Sequence, residues 1–177
     1  MKPALTDVPV IETARLRLRG PQIGDFPVWA DCAASDRARH IGGPMNRGMA
    51  WRAFCHLVGH WPLRGYGMFV FCDRDSDAPL GMCGPWFPEE WPEPEIGWTI
   101  WVPEAEGRGL AFEAALAARR FAYRTLGWTT AISLIAAANT RSQALARRMG
   151  CAPDGLFVHE ICGESTICRH PMPESIA

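Results

Sequence analysis

Glu95-Ile96-Gly97-Trp98-Thr99-Ile100-Trp101-Val102-Pro103-Glu104-Ala105-Glu106-Gly107-Arg108-Gly109-Leu110-Ala111-Phe112-Glu113-Ala114 is the stretch whose reading decides the fold. Residues Glu95 to Val102 are rich in β-branched and aromatic side chains and read as a strand. Pro103 ends it, two glycines follow, and the Ala-rich run from Leu110 to Thr125 has apolar spacing suited to a helix. A strand therefore enters a glycine turn and a helix leaves it. Glycines at such a place let backbone N–H groups approach an anion, and the helix start adds partial positive charge, so the turn could cradle a pyrophosphate. It could equally serve only to reverse the chain tightly. Its spacing is neither that of a P-loop nor G-x-G-x-x-G, which argues against ATP and NAD.

Working outward, Thr13 to Arg19 (TARLRLR) alternates polar and apolar residues and predicts a first, half-buried strand. Helices are expected over Gly24 to Ala34 and Ala50 to Leu63, with Gly42-Gly43-Pro44 breaking the chain between them. Tyr66 to Cys72 and Pro79 to Phe87 read as a hairpin joined by the polar turn Asp73 to Asp77. Phe87 to Pro94 is an extended loop because its prolines exclude regular pairing. Beyond the central helix come a strand at Thr130 to Ala136, a short helix at Thr140 to Met149 closed by Gly150, and strands near Leu156–Glu160 and Ser165–Arg169. The sum is an α/β protein in one domain, residues 1–177 with a core of about 11–170, and no internal repeat or linker is evident.

Composition narrows the class further. The 177 residues suit one compact domain, and 48% hydrophobic with 21% charged residues is ordinary for a globular protein. No apolar run approaches the roughly 20 residues needed to span a bilayer, and the N-terminus has an early acid and no apolar core segment, so a cytoplasmic protein is expected. The net charge of −1 offers no field for nucleic acid, and a small-molecule or peptide partner fits better. Seven scattered cysteines argue for thiols over disulfides. The group His159, Cys162, Cys168 and His170 lacks paired zinc-ligand spacing, and no metal is expected.

Taken in order, Glu95-Ile96-Gly97-Trp98, the turn Gly107-Arg108-Gly109-Leu110-Ala111-Phe112-Glu113-Ala114, Asn139-Thr140-Arg141-Ser142 and Met149-Gly150-Cys151 resemble the GCN5-related N-acetyltransferase (GNAT) superfamily. The opening Thr13-Ala14-Arg15-Leu16-Arg17-Leu18-Arg19 is similar to the T-x-R-L-x-L-R start of its ribosomal-protein N-terminal acetyltransferase-like branch, so the resemblance runs from about residue 11 to 170. It implies a GNAT-type fold: a central mixed, mostly antiparallel twisted sheet of about six to seven strands flanked by about four helices. It also implies an N-acetyltransferase that uses acetyl-CoA as donor and needs no metal.

By that resemblance the N–H groups of Gly107, Arg108, Gly109, Leu110, Ala111 and Phe112 would hold the pyrophosphate, with Arg108 supplying charge beside it. Trp101 and Val102 would contact the cofactor at the strand end, and Asn139 and Ser142 would reach its pantetheine arm. Asn139 or Thr140 could instead simply cap the helix that begins there. Glu106 stands where the family often has Gln or Arg, an unfavourable carboxylate beside phosphates unless it points away. An amine such as Lys has a pKa near ~10.4 and needs a base; Glu95, where the family frequently places a carboxylate, is the candidate. Many relatives protonate the leaving thiolate with a tyrosine four residues before the last glycine. That position is Ala146 here, which leaves Ser142 or a water as the acid. A backbone N–H near Trp98 to Trp101 would meet the oxyanion.

Trp86 and Trp91 flank the proline-rich loop beside the expected acceptor cleft and are candidates to line it, while the five histidines read as structural or exposed. Glu89, Glu90, Glu93 and Glu95 crowd the same loop and favour a cationic acceptor. A homodimer is allowed by the sequence, though nothing marks an interface. A non-catalytic acyl-CoA-binding module, motivated by Glu106 and Ala146, is the competing reading, and a structural domain whose turn binds nothing is a third.

Overall fold

The computed structural model describes residues 5, 7–160 and 163–173. In chain order the elements are β1 (Ile11–Glu12), β2 (Leu16–Arg19), α1 (Phe26–Ala33), α2 (Arg47–Arg64), β3 (Phe69–Asp73), β4 (Pro79–Trp86) and β5 (Glu95–Ile100). After these come α3 (Leu110–Arg124), β6 (Ile132–Ile135), α4 (Thr140–Arg148), β7 (Ala152–His159) and β8 (Gly163–Arg169). The strands form one sheet in the order β1-β2-β3-β4-β5-β6-β8-β7. All neighbours are antiparallel except β5 and β6, which run parallel.

The sheet is covered on both faces. Along β3, Val70 and Cys72 turn to the face where Phe26, Trp29, Phe54 and Leu57 of α1 and α2 pack, while Phe69 and Phe71 turn to the face of α3. This period-2 division of a continuously apolar run is what a strand buried on both sides requires. On the α3 side, Ala114, Ala115, Ala118 and Ala122 are fully buried, so the alanines let the helix axis lie close to the sheet. Here the Ala-rich composition records close packing as well as helix propensity.

The α/β GNAT-type architecture and the four α-helices agree with the sequence reading, but the sheet has eight strands against the expected six to seven. The expected strand Thr13–Arg19 is shortened to Leu16–Arg19, which pairs with β3; Thr13–Arg15 form a bend, and Ile11–Glu12 before it folds back as a separate strand. Thr13 Oγ1 receives the Leu16 N–H at 3.0 Å, which diverts the alternating pattern into a turn. The α2 helix begins three residues before Ala50 because Asn46 caps it, its side chain accepting the Met49 N–H at 2.9 Å. No helix of the described residues is long and apolar enough to cross a membrane. The cysteines Cys32, Cys55, Cys72, Cys83, Cys151 and Cys168 are thiols.

Candidate active site

The parallel pair β5 and β6 meets at a single register position, Glu95 opposite Ile132, and then separates. Ser133 Oγ donates to Ile96 O at 2.7 Å, so a side chain supplies the last rung where the backbone ladder stops. Trp101 N–H donates to Leu80 O on the β4 side at 2.8 Å. Alternation along an antiparallel strand then turns the N–H groups of Trp98 and Ile100 to the opposite edge, into the split. Beyond the split lies a cleft of about 780 Å³. The elements α2, β4, the 87–94 loop, the diverging strands and the start of α4 all contribute to its wall.

Glu95 lies at the point of divergence and is 8% exposed. Its Oε1 accepts the Leu134 N–H at 3.1 Å, and its Oε2 accepts the Trp91 indole N–H in a short contact. Burial raises its pKa from the ordinary 4.5 to about 7, against the opposing effect of these two hydrogen bonds. A carboxylate poised near neutrality, in a cleft, at the end of a strand split, is suited to accept a proton from an ammonium ion.

The glycine turn has the expected form. Gly107 and Gly109 hold φ of 70° and 75°, the left-handed region that side chains with a Cβ resist, and Gly109 is the N-cap of α3 without any side-chain cap. The first N–H groups of a helix have no intrahelical partner, so those of Leu110, Ala111 and Phe112 are oriented toward an incoming anion. The turn is clamped from a direction that the sequence did not disclose. Arg15 Nη1 donates to Arg108 O at 2.9 Å, and the Arg15 guanidinium meets Glu113 at 2.7 Å. Thr13 Oγ1 donates to the same carboxylate at 2.7 Å. The T-x-R opening thus braces the glycine turn across almost one hundred residues of chain.

Glu106 does not leave a bare charge beside that turn. Arg37 reaches its Oε1 at 2.7 Å and Arg141 its Oε2 at 2.5 Å. Arg37 also donates to Ile100 O at 3.0 Å, tying the end of β5 to the turn. Asn139 caps α4: its Oδ1 accepts the Ser142 N–H at 3.2 Å. Ser142 Oγ accepts the Trp98 indole N–H at 3.2 Å, so β5 and α4 meet across the split and the serine keeps its own O–H for a ligand. Ala146 is 2% exposed and packs with Ile135 and Cys168, so a tyrosine-like acid has no counterpart there. The side chains of Trp101 and Val102 pack into the core, leaving only their backbone to face a cofactor.

The structure gathers Glu95, Asn139, Ser142, Trp86 and Trp91 around one cleft and places Gly107 to Phe112 at the start of α3. Histidines were underread by sequence. His60 stacks on Trp86 with centroids 4.4 Å apart, and its Nε2 accepts the Phe87 N–H at 3.2 Å. Burial, with His56 and Arg64 nearby, pushes the His60 pKa down to about 4. His170, 3% exposed, lies 2.9 Å from Ser133 Oγ. The single hydroxyl proton of Ser133 goes to Ile96 O, so His170 Nε2 is the donor and Nδ1 faces Arg119 Nη1 at 3.4 Å. Burial and Arg119 lower the His170 pKa to about 3. No local motif announces these contacts, since each joins distant elements.

The acidic loop also differs from expectation. Glu89 pairs with Arg64 and Glu93 with Arg169 at 2.6 Å, while Glu90 is hydrogen-bonded to His159 at 2.8 Å, so two of its acids stand against arginines. Of the group His159, Cys162, Cys168 and His170, Cys162 lies outside the described residues. Among the described residues no group of three or more His, Cys, Asp or Glu is placed to hold a metal ion.

Known proteins share this fold. The model of the acetyltransferase (GNAT) domain matches residues 15–152. An acetyltransferase from Agrobacterium tumefaciens is 31% identical, with a TM-score of 0.86 over 97% of this chain and 99% of that one. A ribosomal-protein-S5-alanine acetyltransferase from Vibrio fischeri, 15% identical, has a TM-score of 0.69 over 93% of this chain and 97% of its own. Spermidine N-acetyltransferase from Vibrio cholerae, determined with CoA and spermine, is 16% identical with a TM-score of 0.74 over 93% and 99%. The last two share the fold alone. With the split sheet, the glycine turn and the family match covering most of its length, the chain belongs to the GNAT family of acetyltransferases.

Proposed function

We propose that the protein moves the acetyl group of acetyl-CoA to a primary amine by direct attack in a ternary complex, as a cytoplasmic enzyme of the ribosomal-protein N-terminal acetyltransferase-like branch. The observation that carries the reading is Glu95, a buried carboxyl held near neutrality where β5 and β6 part. The branch assignment rests on the T-x-R-L-x-L-R opening and on its grip on the phosphate turn through Glu113 and Arg108.

The residues present fit acetyl-CoA. The N–H groups of Gly107 to Phe112 form a cradle for its pyrophosphate, Arg108 adds charge, and the split admits the pantetheine arm past Asn139 and Ser142. Bound there, acetyl-CoA supplies a thioester: the amine nitrogen bonds to its carbonyl carbon as the C–S bond breaks. Glu95 takes the proton of the ammonium ion, leaving the lone pair free to attack. The Trp98 and Ile100 N–H groups stabilise charge on the carbonyl oxygen. A hydroxyl is a weaker acid than a thiol, so Ser142 donates a hydrogen bond to the departing sulfur, and the second proton of the amine, released as the C–N bond forms, passes through water to that sulfur.

The test is calorimetric titration with acetyl-CoA, with ATP and NAD as controls and Gly109→Trp to obstruct the turn, followed by amine-dependent thiol release. Selective binding lost in the variant, with turnover, supports the proposal. Tight binding without turnover on any amine would mean a non-catalytic acyl-CoA-binding module, and no binding would remove the premise.

A further inference from the structure

The walls of the cleft carry information about the acceptor. Resting on the acetyl-transfer reading above, we propose that the acceptor is a monoamine carried on a flat apolar body, an arylalkylamine, in preference to a polyamine or an amino sugar.

The carboxylates lining the cleft are Glu89, Glu90 and Glu95. Glu89 and Glu90 stand at the mouth with side chains 90% and 75% exposed, the first paired with Arg64 and the second hydrogen-bonded to His159, which leaves Glu95 as the buried carboxyl of the interior. A polyamine carries several ammonium groups along a flexible chain and needs a row of carboxylates to match them. Here Arg52 lines the cleft with no carboxylate partner among the described residues. One cation is accommodated; a second would meet like charge.

The polar groups are too committed for a sugar. Asn139 Oδ1 is used in the helix cap and Ser133 Oγ holds Ile96 and His170, while Ser142 Oγ receives Trp98 and turns its remaining O–H to the sulfur of the acetyl donor. A polyhydroxylated ligand would exchange water for these occupied atoms and leave hydroxyls unpaired.

Apolar area, by contrast, is abundant and rigid. Trp86 is fixed between two rings, stacked on His60 at 4.4 Å and tilted against His56 at 4.9 Å. Trp91 is pinned by its indole N–H to Glu95, with its ring 5.1 Å from His159. Both indoles therefore stand beside the carboxyl that would take the proton. Met68 and Met82 line the cleft from below and Met49 from its rim, soft side chains that adapt to an aromatic ring. Fixed aromatic walls around a single carboxyl match an aryl group joined by a short chain to one amine.

The experiment uses the full chain with saturating acetyl-CoA and follows thiol release with tryptamine, spermidine, glucosamine and a tripeptide bearing a free α-amine. Tryptamine should show the highest kcat/KM, by at least about tenfold over each of the others. Trp86→Ala should lower kcat/KM for tryptamine by about tenfold, mainly through KM, with the dissociation constant for acetyl-CoA unchanged. Met49 is 47% exposed, so Met49→Glu does not disturb the core and carries the test if Trp86→Ala fails to fold. It should narrow the preference for tryptamine over spermidine. Preference for spermidine, glucosamine or the tripeptide, or a preference unmoved by both variants, overturns the proposal. If acetyl-CoA binds and no amine releases thiol, the acetyl-transfer reading falls as well, a result distinct from turnover of a different amine.

Discussion

Replacing Glu95 with Gln should make the protein slower and, at alkaline pH, relatively more stable. The gap between an unfolded value of 4.5 and a folded value of about 7 corresponds to about 3 kcal/mol. The sign follows from proton occupancy. Between these values the folded protein keeps the Glu95 proton while the unfolded chain has released it, so the Glu95 contribution to stability falls as pH rises through this window. From about pH 5 to about pH 8 the stability of the wild type relative to the Gln variant should fall by about 2.5 kcal/mol. The variant carries its own penalty, since one amide oxygen cannot accept from both Leu134 N–H and Trp91 Nε1. That penalty, about 1–3 kcal/mol for a buried unpaired donor, is the same at both pH values and cancels in the comparison. Urea unfolding of both proteins at the two pH values gives the stability arm. Thiol release gives the other: kcat/KM should fall by about 10²–10⁴-fold, and the wild-type rise in rate near pH 7 should vanish. Equal pH dependence of stability in the two proteins would refute the buried, raised carboxyl, and undiminished turnover would refute its role as base.

Two further perturbations probe the surroundings. Arg15→Ala removes the hydrogen bond to Arg108 O and should weaken acetyl-CoA binding about fivefold by calorimetry, the worth of one hydrogen bond of about 1 kcal/mol. Its salt bridge to Glu113 is half exposed, so the melting temperature should change little; unaltered affinity would mean the turn holds its shape without the clamp. On acidification, His60 and His170 stay neutral in the folded protein down to about 4 and about 3, while the unfolded chain protonates them near 6.5. Stability should therefore fall as pH drops below 6.5, with unfolding taking up about two protons in Glu95→Gln and about one in the wild type, where Glu95 opposes. Potentiometric or denaturant measurement of proton uptake checks this, and the same uptake in both proteins would contradict it.

What could be read from sequence was whatever is written locally. The strand, glycine turn and Ala-rich helix from Glu95 to Arg124 change period within a few residues, and the structure places each where expected. The Asn139-x-x-Ser142 unit was legible as a helix start, and its position on the cleft followed from the family resemblance. The state of Glu95 was not legible. A glutamate at a strand end is usually solvated, and its burial depends on Trp91 folding back to meet it and on where β6 diverges. Thr13 and Arg15 looked like ordinary outward residues of an alternating strand, because their partner Glu113 lies 100 and 98 positions away. The same distance hid the neutralisation of Glu106 by Arg37 and Arg141, which removes one of the two motives for a non-catalytic reading.

The split between β5 and β6 raises a physical problem that these hidden residues answer. Ending a ladder inside a sheet orphans backbone groups, and an unpaired buried one costs about 1–3 kcal/mol. Ile96 O is met by Ser133 Oγ, Leu134 N–H by the Glu95 carboxyl and Ile100 O by Arg37. His170 and Arg119 support Ser133 from beneath. Three groups at the split are thus satisfied by side chains, while the alternation along β5 turns the N–H groups of Trp98 and Ile100 toward the opened edge. Those two donors have the polarity needed to stabilise a developing oxyanion. Glu95 is part of the same arrangement, and its bond to Leu134 makes the proton acceptor also a strut of the opening. Proton transfer to Glu95 therefore weakens an acceptor at the edge of the split, so the geometry of the cleft and the ionisation of its base are coupled through one hydrogen bond.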